Sequence, residues 1–382
     1  MIYLDNSATT RPNDEVLDAY IKVNENFFAN ASSLHNFGGK VEQLITKARE
    51  QIADLAGVKP SEIIFTSGGT EGNNLAIKGA AINYQARGNH IITTAVEHPS
   101  VKEPCKQLEG MGFKITYLPV NAEGAVSASA VEAAITDETI LVSIIHVNNE
   151  IGTVQPVKEI GRLLQKYPKV IYHVDHVQGA GKVALDLYES HIDLCTFSAH
   201  KFNGLKGSGF LFKKQSVKLA PLLTGGNQEQ KLRSGTENTG GIVAMAKAYR
   251  LAESNRIHKG HKLLQIREFL LENLQSIPGV IIHTPVNGAP HIICLSCKGQ
   301  KGEVMVHALE EEGIIVSTTS ACSSKEQLPS STLKAIGVEN DIAQGAIRVS
   351  LSTENTLEEA EIFIKKLTEI LQRLNKVMRR NQ

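Results

Sequence analysis

The run from residue 171, Ile171-Tyr172-His173-Val174-Asp175-His176-Val177-Gln178-Gly179-Ala180-Gly181-Lys182, followed from His191 to Gly209 by HIDLCTFSAHKFNGLKGSG, decides how the chain is read. One apolar stretch ends in an acid, Asp175, with Gln178 three residues on. A second ends in Ser198-Ala199-His200-Lys201, and a glycine-rich segment follows (Gly204, Gly207, Gly209). Each apolar stretch has the length of a buried strand, and in an α/β sheet the C-terminal ends of strands are where ligand groups gather.

An acid and a lysine at two such strand ends, with a serine and a histidine beside the lysine, suit one cofactor well. Pyridoxal phosphate needs a lysine amine for its aldehyde and a carboxylate for its pyridinium nitrogen. Its phosphate needs hydroxyl, imidazole or backbone donors. Taken singly, each residue has a commonplace reading: a solvated lysine, a strand-end acid capping a turn. The cofactor reading rests on the combination.

The chain upstream supplies a partner for the phosphate. Ile63-Ile64-Phe65 reads as a strand and runs through Thr66-Ser67-Gly68-Gly69-Thr70 into a helix from about residue 72. Strand, small-residue turn and helix start present free N–H groups and the positive dipole end to an anion. Gly69 and Thr70 are the expected donors. The segment has neither a Walker Gly-Lys-Ser/Thr nor Gly-x-Gly-x-x-Gly, so it is not a nucleotide fingerprint. Further strands are expected at 90–94, 113–118, 140–146 and 170–174, alternating with helices. That alternation predicts an α/β fold with a largely parallel sheet covered on both faces.

Near residue 250 the character changes. A long amphipathic helix is expected over about 241–277, with a break at Gly260 and with Ile257, Leu264, Leu271 and Leu274 at helical spacing. Thr356 with Glu359 forms a capping box for a last helix over 357–379. The expected division is an N-terminal arm (1–15), a large cofactor-binding domain (16–255) and a smaller α+β domain (256–382).

Composition narrows the class. Forty Lys plus Arg balance forty Asp plus Glu in 382 residues, so bulk charge points to neither nucleic acid nor an acidic membrane surface. No apolar run approaches the ~18 residues of a membrane span, and the first residues do not read as a signal peptide, so the expected location is the cytoplasm. The five cysteines are scattered and odd in number, which argues for free thiols. Cys195 falls inside an apolar strand. Cys105 is expected on a helix. Cys294 and Cys297 sit on an expected strand, where residues three apart face opposite ways, and no other ligands are nominated, so no metal site is expected. Cys322 differs, because Ser317-Thr318-Thr319-Ser320-Ala321-Cys322-Ser323-Ser324 is small and polar without apolar periodicity and reads as an exposed, mobile loop carrying a reactive thiol.

Asp-x-x-Gln followed by Ser-x-His-Lys resembles the fold-type I pyridoxal-phosphate enzymes of the class V aminotransferase group, specifically the NifS/IscS-type cysteine desulfurases. The resemblance spans Leu4-Asp5-Asn6 to Ser350. It implies that Lys201 binds the cofactor and moves the substrate's α-proton, and that Asp175 keeps the pyridine nitrogen protonated. Gln178, Ser198, His200, Gly69 and Thr70 are implied as further cofactor contacts, and Asn149 as the partner of its phenolic oxygen. His98 is implied as a ring stacked on the pyridine and as a proton carrier. Arg348 and Asn30 would hold the carboxylate of L-cysteine, with Asn149 also in the substrate site, although Ala31 stands where the family more often has Pro. Thr236, in Arg233-Ser234-Gly235-Thr236, would reach the phosphate in the neighbouring subunit, which implies a homodimer with shared sites. Cys322 would receive the sulfur as a persulfide, leaving alanine, and pass it to an acceptor: an iron–sulfur scaffold, a tRNA thiolation enzyme or a thiamin-pathway carrier.

Two positions depart from the family pattern. His176 stands where a small residue usually follows the acid, so an imidazole is expected to stack on the cofactor or displace it. Phe202-Asn203-Gly204 replaces the usual aromatic and proline after the lysine. Two other functions share these residues: another class V reaction, such as an aminotransferase or selenocysteine lyase, and a catalytically impaired scaffold.

Overall fold

A computed structural model of the chain describes residues 1–319 and 330–380. Cys322, and with it the expected persulfide loop, lies outside the described residues. The strands are β1 (Ile2–Tyr3), β2 (Ile63–Thr66), β3 (His90–Thr94), β4 (Lys114–Leu118), β5 (Thr139–Ile145), β6 (Ile171–Asp175), β7 (Leu194–Ser198), β8 (Gly209–Lys213), β9 (Val280–Ile282), β10 (Ile292–Cys297), β11 (Ile314–Ile315), β12 (Ser317–Thr318) and β13 (Ala346–Ser350).

Seven of them form one sheet in the order β2-β8-β7-β6-β5-β3-β4. It is parallel from β7 through β6, β5 and β3 to β4, and β8 runs antiparallel between β2 and β7. Alternate strand residues fall into different cores, as a side-chain period of two requires. Ile64, Ile171, Leu194 and Leu211 pack under the helices Gly69–Tyr84 and Pro99–Glu109. Phe65, Tyr172, Val174, Phe197 and Phe210 pack on the other face, under the helices Asn36–Ala56 and Val157–Leu164 and the start of Thr239–Gln275. Both faces are thus covered, as the apolar runs at 171 and 191 predict.

A four-stranded antiparallel sheet, β12-β13-β10-β9, builds a second core with the helices Gly302–Glu311 and Leu357–Arg380. Cys294 and Cys297 are buried on opposite sides of β10, in different clusters, and burial pushes both thiols up. The capping box forms: Thr356 Oγ1 accepts the Glu359 N–H at 3.2 Å, and Glu359 Oε2 accepts the Thr356 N–H at 3.1 Å.

The helix Thr239–Gln275 runs 37 residues through Gly260 without the expected break. One glycine costs a helix only about 1 kcal/mol, and packing on both sides of it outweighs that. Ala244, Met245 and Tyr249 enter the core of the seven-stranded sheet, and Leu263, Ile266, Leu270 and Leu274 enter the second. Of the expected stripe, Leu274 is buried and Leu271 packs against the second core, while Ile257 and Leu264 are exposed, so the spacing holds only toward the helix C-terminus.

The N-terminal arm ties these parts together. β1 pairs in parallel with β11, Leu4 enters the second core, and the chain then crosses to the ends of β6 and β7.

Candidate active site

At the C-terminal ends of the parallel strands lies a cavity of about 550 Å³. Its wall carries Gly69, Thr70, His98, Asn149, Asp175, Gln178, Ser198, His200, Lys201 and Arg348, ten residues singled out from the sequence. Asn30 and Thr236 are exposed and lie outside it, so a single chain does not bring them to this site. The two sit on touching segments. Gln228 donates to Ser32 Oγ at 3.4 Å and accepts the Gly235 N–H at 3.2 Å. Glu229 pins its own segment with two bonds to Arg49 (2.6 and 2.9 Å) and one to the Phe65 N–H (2.8 Å).

Asp175 ends β6 pointing toward the helix Gly69–Tyr84. Its oxygens accept Asn73 Nδ2 at 2.8 Å and the Val177 N–H at 3.0 Å. Burial raises its pKa, opposed by those two donors and by Lys201. Such a carboxylate is poised for a buried cation. Lys201 sits one short turn past β7 and donates to the backbone oxygens of Ser7 (2.5 Å) and Ala8 (2.8 Å).

Next to Lys201, His98 caps the helix Pro99–Glu109. Its Nδ1 accepts the Ser100 N–H at 3.1 Å and meets Ser100 Oγ at 2.8 Å. Burial, with Lys201, Lys102 and Arg348 adding positive charge, pulls its pKa down to about 4. The imidazole is therefore neutral at neutral pH and able to accept a proton. His200 is held down to about 4 in the same way, burial leading and neighbouring cations adding to it.

Arg348, on β13, is buried. Nη1 donates to Asn149 O at 2.8 Å and Nη2 to Asp5 Oδ1 at 3.1 Å, while its buried Nε has no partner among the described residues. A buried guanidinium that spends two of its N–H groups within the protein and keeps Nε–H unspent at the cavity wall can receive a carboxylate.

The residues present fit pyridoxal phosphate. Gly68 sits at φ +150° and opens the helix at Gly69, where an added Cβ would meet Val177 Cγ2 at 2.8 Å. The strand–helix turn can therefore bring backbone N–H groups close to a phosphate only as glycine. Gln178 Oε1 is buried without a partner among the described residues, although its Nε2 donates to Ser7 O at 3.0 Å. Asp175 and Lys201 complete the donor set.

His176 corrects the sequence reading. It neither stacks on the cofactor position nor intrudes there, because the residue after Asp175 points through the sheet. It packs against His146 with Nδ1 to Nδ1 at 2.7 Å, and edge-on to Phe197. Val177, one further on, returns to the cavity wall. His176→Ala is therefore expected to keep the cofactor's visible absorbance and to lower unfolding stability by roughly 2 kcal/mol, since it opens a void and orphans His146 Nδ1. Thermal melts beside absorbance spectra check this.

Two cavity groups, Glu97 and Glu150, and two residues that bond the cavity wall, Asn73 and Asp5, escaped the sequence reading. Glu97, beside His98, is buried with its pKa pushed up to about 8, chiefly by burial; it accepts Thr94 Oγ1 (2.7 Å) and the Ile145 N–H (2.9 Å). Glu150 is also raised by burial and accepts the hydroxyls of Ser330 and Thr332. Asn73 aims Asp175, and Asp5 pairs with Arg348. An acid next to a candidate histidine and an acid next to a candidate asparagine were the available signals for the first two.

The class V aminotransferase model matches residues 2–363. The chain is 47% identical over 380 residues to the NifS/IcsS protein homolog of Lactobacillus delbrueckii subsp. bulgaricus, covering 99% of both chains. It is 42% identical to the cysteine desulfurase IscS of Methanosarcina thermophila, covering 98% of this chain and 92% of that one. A solved NifS-like protein superposes with a TM-score of 0.92 at 39% identity, covering 97% of this chain and 99% of that one. With the lysine, acid, phosphate turn and buried arginine assembled in one cavity, the chain belongs to the class V aminotransferase family, among its NifS/IscS-type cysteine desulfurases.

Proposed function

We propose that the protein is a pyridoxal-phosphate-dependent cysteine desulfurase that releases L-alanine from L-cysteine and leaves the sulfur on Cys322 as a persulfide. One observation carries the reading: Lys201, Asp175 and an Arg348 with an unspent Nε–H line one cavity, as the amine, pyridinium partner and carboxylate receptor of such an enzyme would.

When bound, the cofactor supplies the electron sink for the substrate's α-carbon. The chain supplies the rest. Arg348 receives the carboxylate of L-cysteine and fixes which way the side chain points. The Lys201 amine leaves its perch on Ser7 O and Ala8 O and takes the α-proton. His98, neutral and with Nδ1 engaged, has Nε2 to accept the Cys322 proton. The Cys322 thiolate attacks the substrate sulfur. An S–S bond forms as the Cβ–S bond breaks, the electron pair stays with Cβ, and Cβ takes a proton, so no outside oxidant is required.

Cys322→Ser is expected to lower alanine release by roughly 10³-fold or more while the visible absorbance of the bound cofactor persists. Alanine counted against time checks it, and turnover retained in that variant would move the nucleophile elsewhere.

A homodimer with shared sites belongs to the same reading. Asn30 and Thr236 form one exposed patch outside their own cavity, and Leu17, Tyr20, Ile21, Phe28 and Leu34 are exposed on the neighbouring N-terminal segments. A second copy is the occupant that would use both features, and the expected outcome is a dimer by sedimentation. The persulfide acceptor is a protein of iron–sulfur assembly or of tRNA or cofactor thiolation, and the site of action is the cytoplasm. Among the described residues no helix is long and apolar enough to cross a membrane.

A further inference from the structure

A second lysine lies behind the first. Lys182 follows the glycine turn after Gln178, and its Nζ donates to the backbone oxygen of Lys201 at 2.5 Å. Its backbone cannot drift. Lys182 N–H bonds Gly179 O at 2.9 Å, and the Gly181 N–H bonds Glu253 Oε1 at 3.2 Å. Gly181 has φ +68°, and a Cβ there would meet Ala252 Cβ at 2.6 Å, so the turn is seated against the helix Thr239–Gln275. A half-buried ammonium is thereby locked beneath the residue whose amine does the chemistry.

We propose that Lys182 is a positioning residue for Lys201: its Nζ–H clamps the Lys201 carbonyl, and its charge is the cation that disfavours a second positive charge at Lys201 Nζ. A lysine beside another cationic group is a recognised way to keep an amine neutral and reactive. The charged neighbourhood makes Lys182 the group that matters. Facing Lys201 are Asp5, Asp175, His98 and His200 as well as Lys182. Asp5 is engaged by Arg348, and Asp175 stands opposite the cofactor's ring nitrogen in the reading above. His98 and His200 are neutral at neutral pH. Facing Lys182 are His176, His200 and His291, all with lowered pKa, and Lys201 itself. Burial, with Lys201 adding to it, pulls Lys182 down to about 7, and the repulsion between two amines is reciprocal.

This inference rests on Lys201 being the cofactor lysine and not on the sulfur chemistry. The experiment is a pH titration of the visible absorbance of the purified holoenzyme, for the parent and for Lys182→Arg, Lys182→Gln and Lys182→Met. A neighbouring cation disfavours the protonated form of the cofactor–lysine linkage, so its removal raises the titration midpoint. Gln keeps a donor without charge, and Met keeps neither. Both are expected to raise the midpoint by about one pH unit, a tenfold change in the ratio of protonated to neutral form, while Arg stays within about 0.3 unit of the parent. If Met does not fold, Gln still decides. A Gln variant that melts like the parent and titrates at the parent's midpoint overturns the proposal, and so does an Arg variant that shifts as far as Gln. If the shifts appear but the parent releases no alanine from L-cysteine, the desulfurase reading fails and the role of Lys182 stands.

Discussion

Lys201→Ala is expected to lower alanine release from L-cysteine by roughly 10⁴-fold or more and to remove the lysine-linked visible absorbance. The size of the effect follows from the two duties proposed for this one amine, binding the cofactor and moving the α-proton. The variant should fold. Lys201 Nζ bonds Ser7 O and Ala8 O, yet the N-terminal arm keeps its pairing with β11 and the Asp5–Arg348 ion pair when that amine is gone. Among the described residues the cavity wall holds one rival, Lys102, whose Nζ donates to Ser331 Oγ at 2.9 Å and whose carbon stem leaves from the helix Pro99–Glu109 rather than from β7. Lys102→Met is the control, expected to keep the absorbance. If Lys201→Ala stays coloured while Lys102→Met bleaches, the cofactor lysine has been misassigned and the mechanism above falls with it.

What could be read from the sequence was what local rules govern. The two apolar runs at 171 and 191 became fully buried strands because such runs suit a parallel sheet covered on both sides. The glycine turn at 68–69 and the His98-Pro99 helix start carry their own backbone signals. What could not be read depended on faces and distant partners. His176 looked like an intruder because the alternation of faces past the end of β6 is not visible in one dimension; the imidazole goes through the sheet to His146, thirty residues upstream. Asp5 is separated from Arg348 by 343 residues, and no spacing rule links them. Lys182 was part of the opening motif, yet its role appears only once the turn is folded under Lys201.

Asp175→Asn is expected to act in opposite directions on the two forms of the protein. In the cofactor-free form the Asp175 carboxyl has a raised pKa, with burial the largest cause. A raised acid binds its proton more tightly folded than unfolded, so its contribution to stability is lost as pH rises from the unfolded pKa through the folded one. Above that window the ionised carboxylate opposes folding. Asn has the same shape and no charge, and Asn73, whose Oδ1 is buried without a partner among the described residues, can turn its amide to bond the new side chain. The cofactor-free variant is therefore expected to be more stable than the parent at neutral pH, by roughly 1 kcal/mol, and equal to it in acid. In the loaded form the sign is expected to reverse: on the proposed mechanism the ring nitrogen loses the carboxylate that keeps it protonated, and turnover falls by roughly 10²-fold or more. Melting curves of the cofactor-free proteins across pH and alanine release by the loaded ones separate the two effects. A loaded Asp175→Asn protein turning over within about threefold of the parent would remove Asp175 from the chemistry. The combination expected here, a more stable empty protein and a slower loaded one, would mark Asp175 as a charge kept buried for the cofactor it faces.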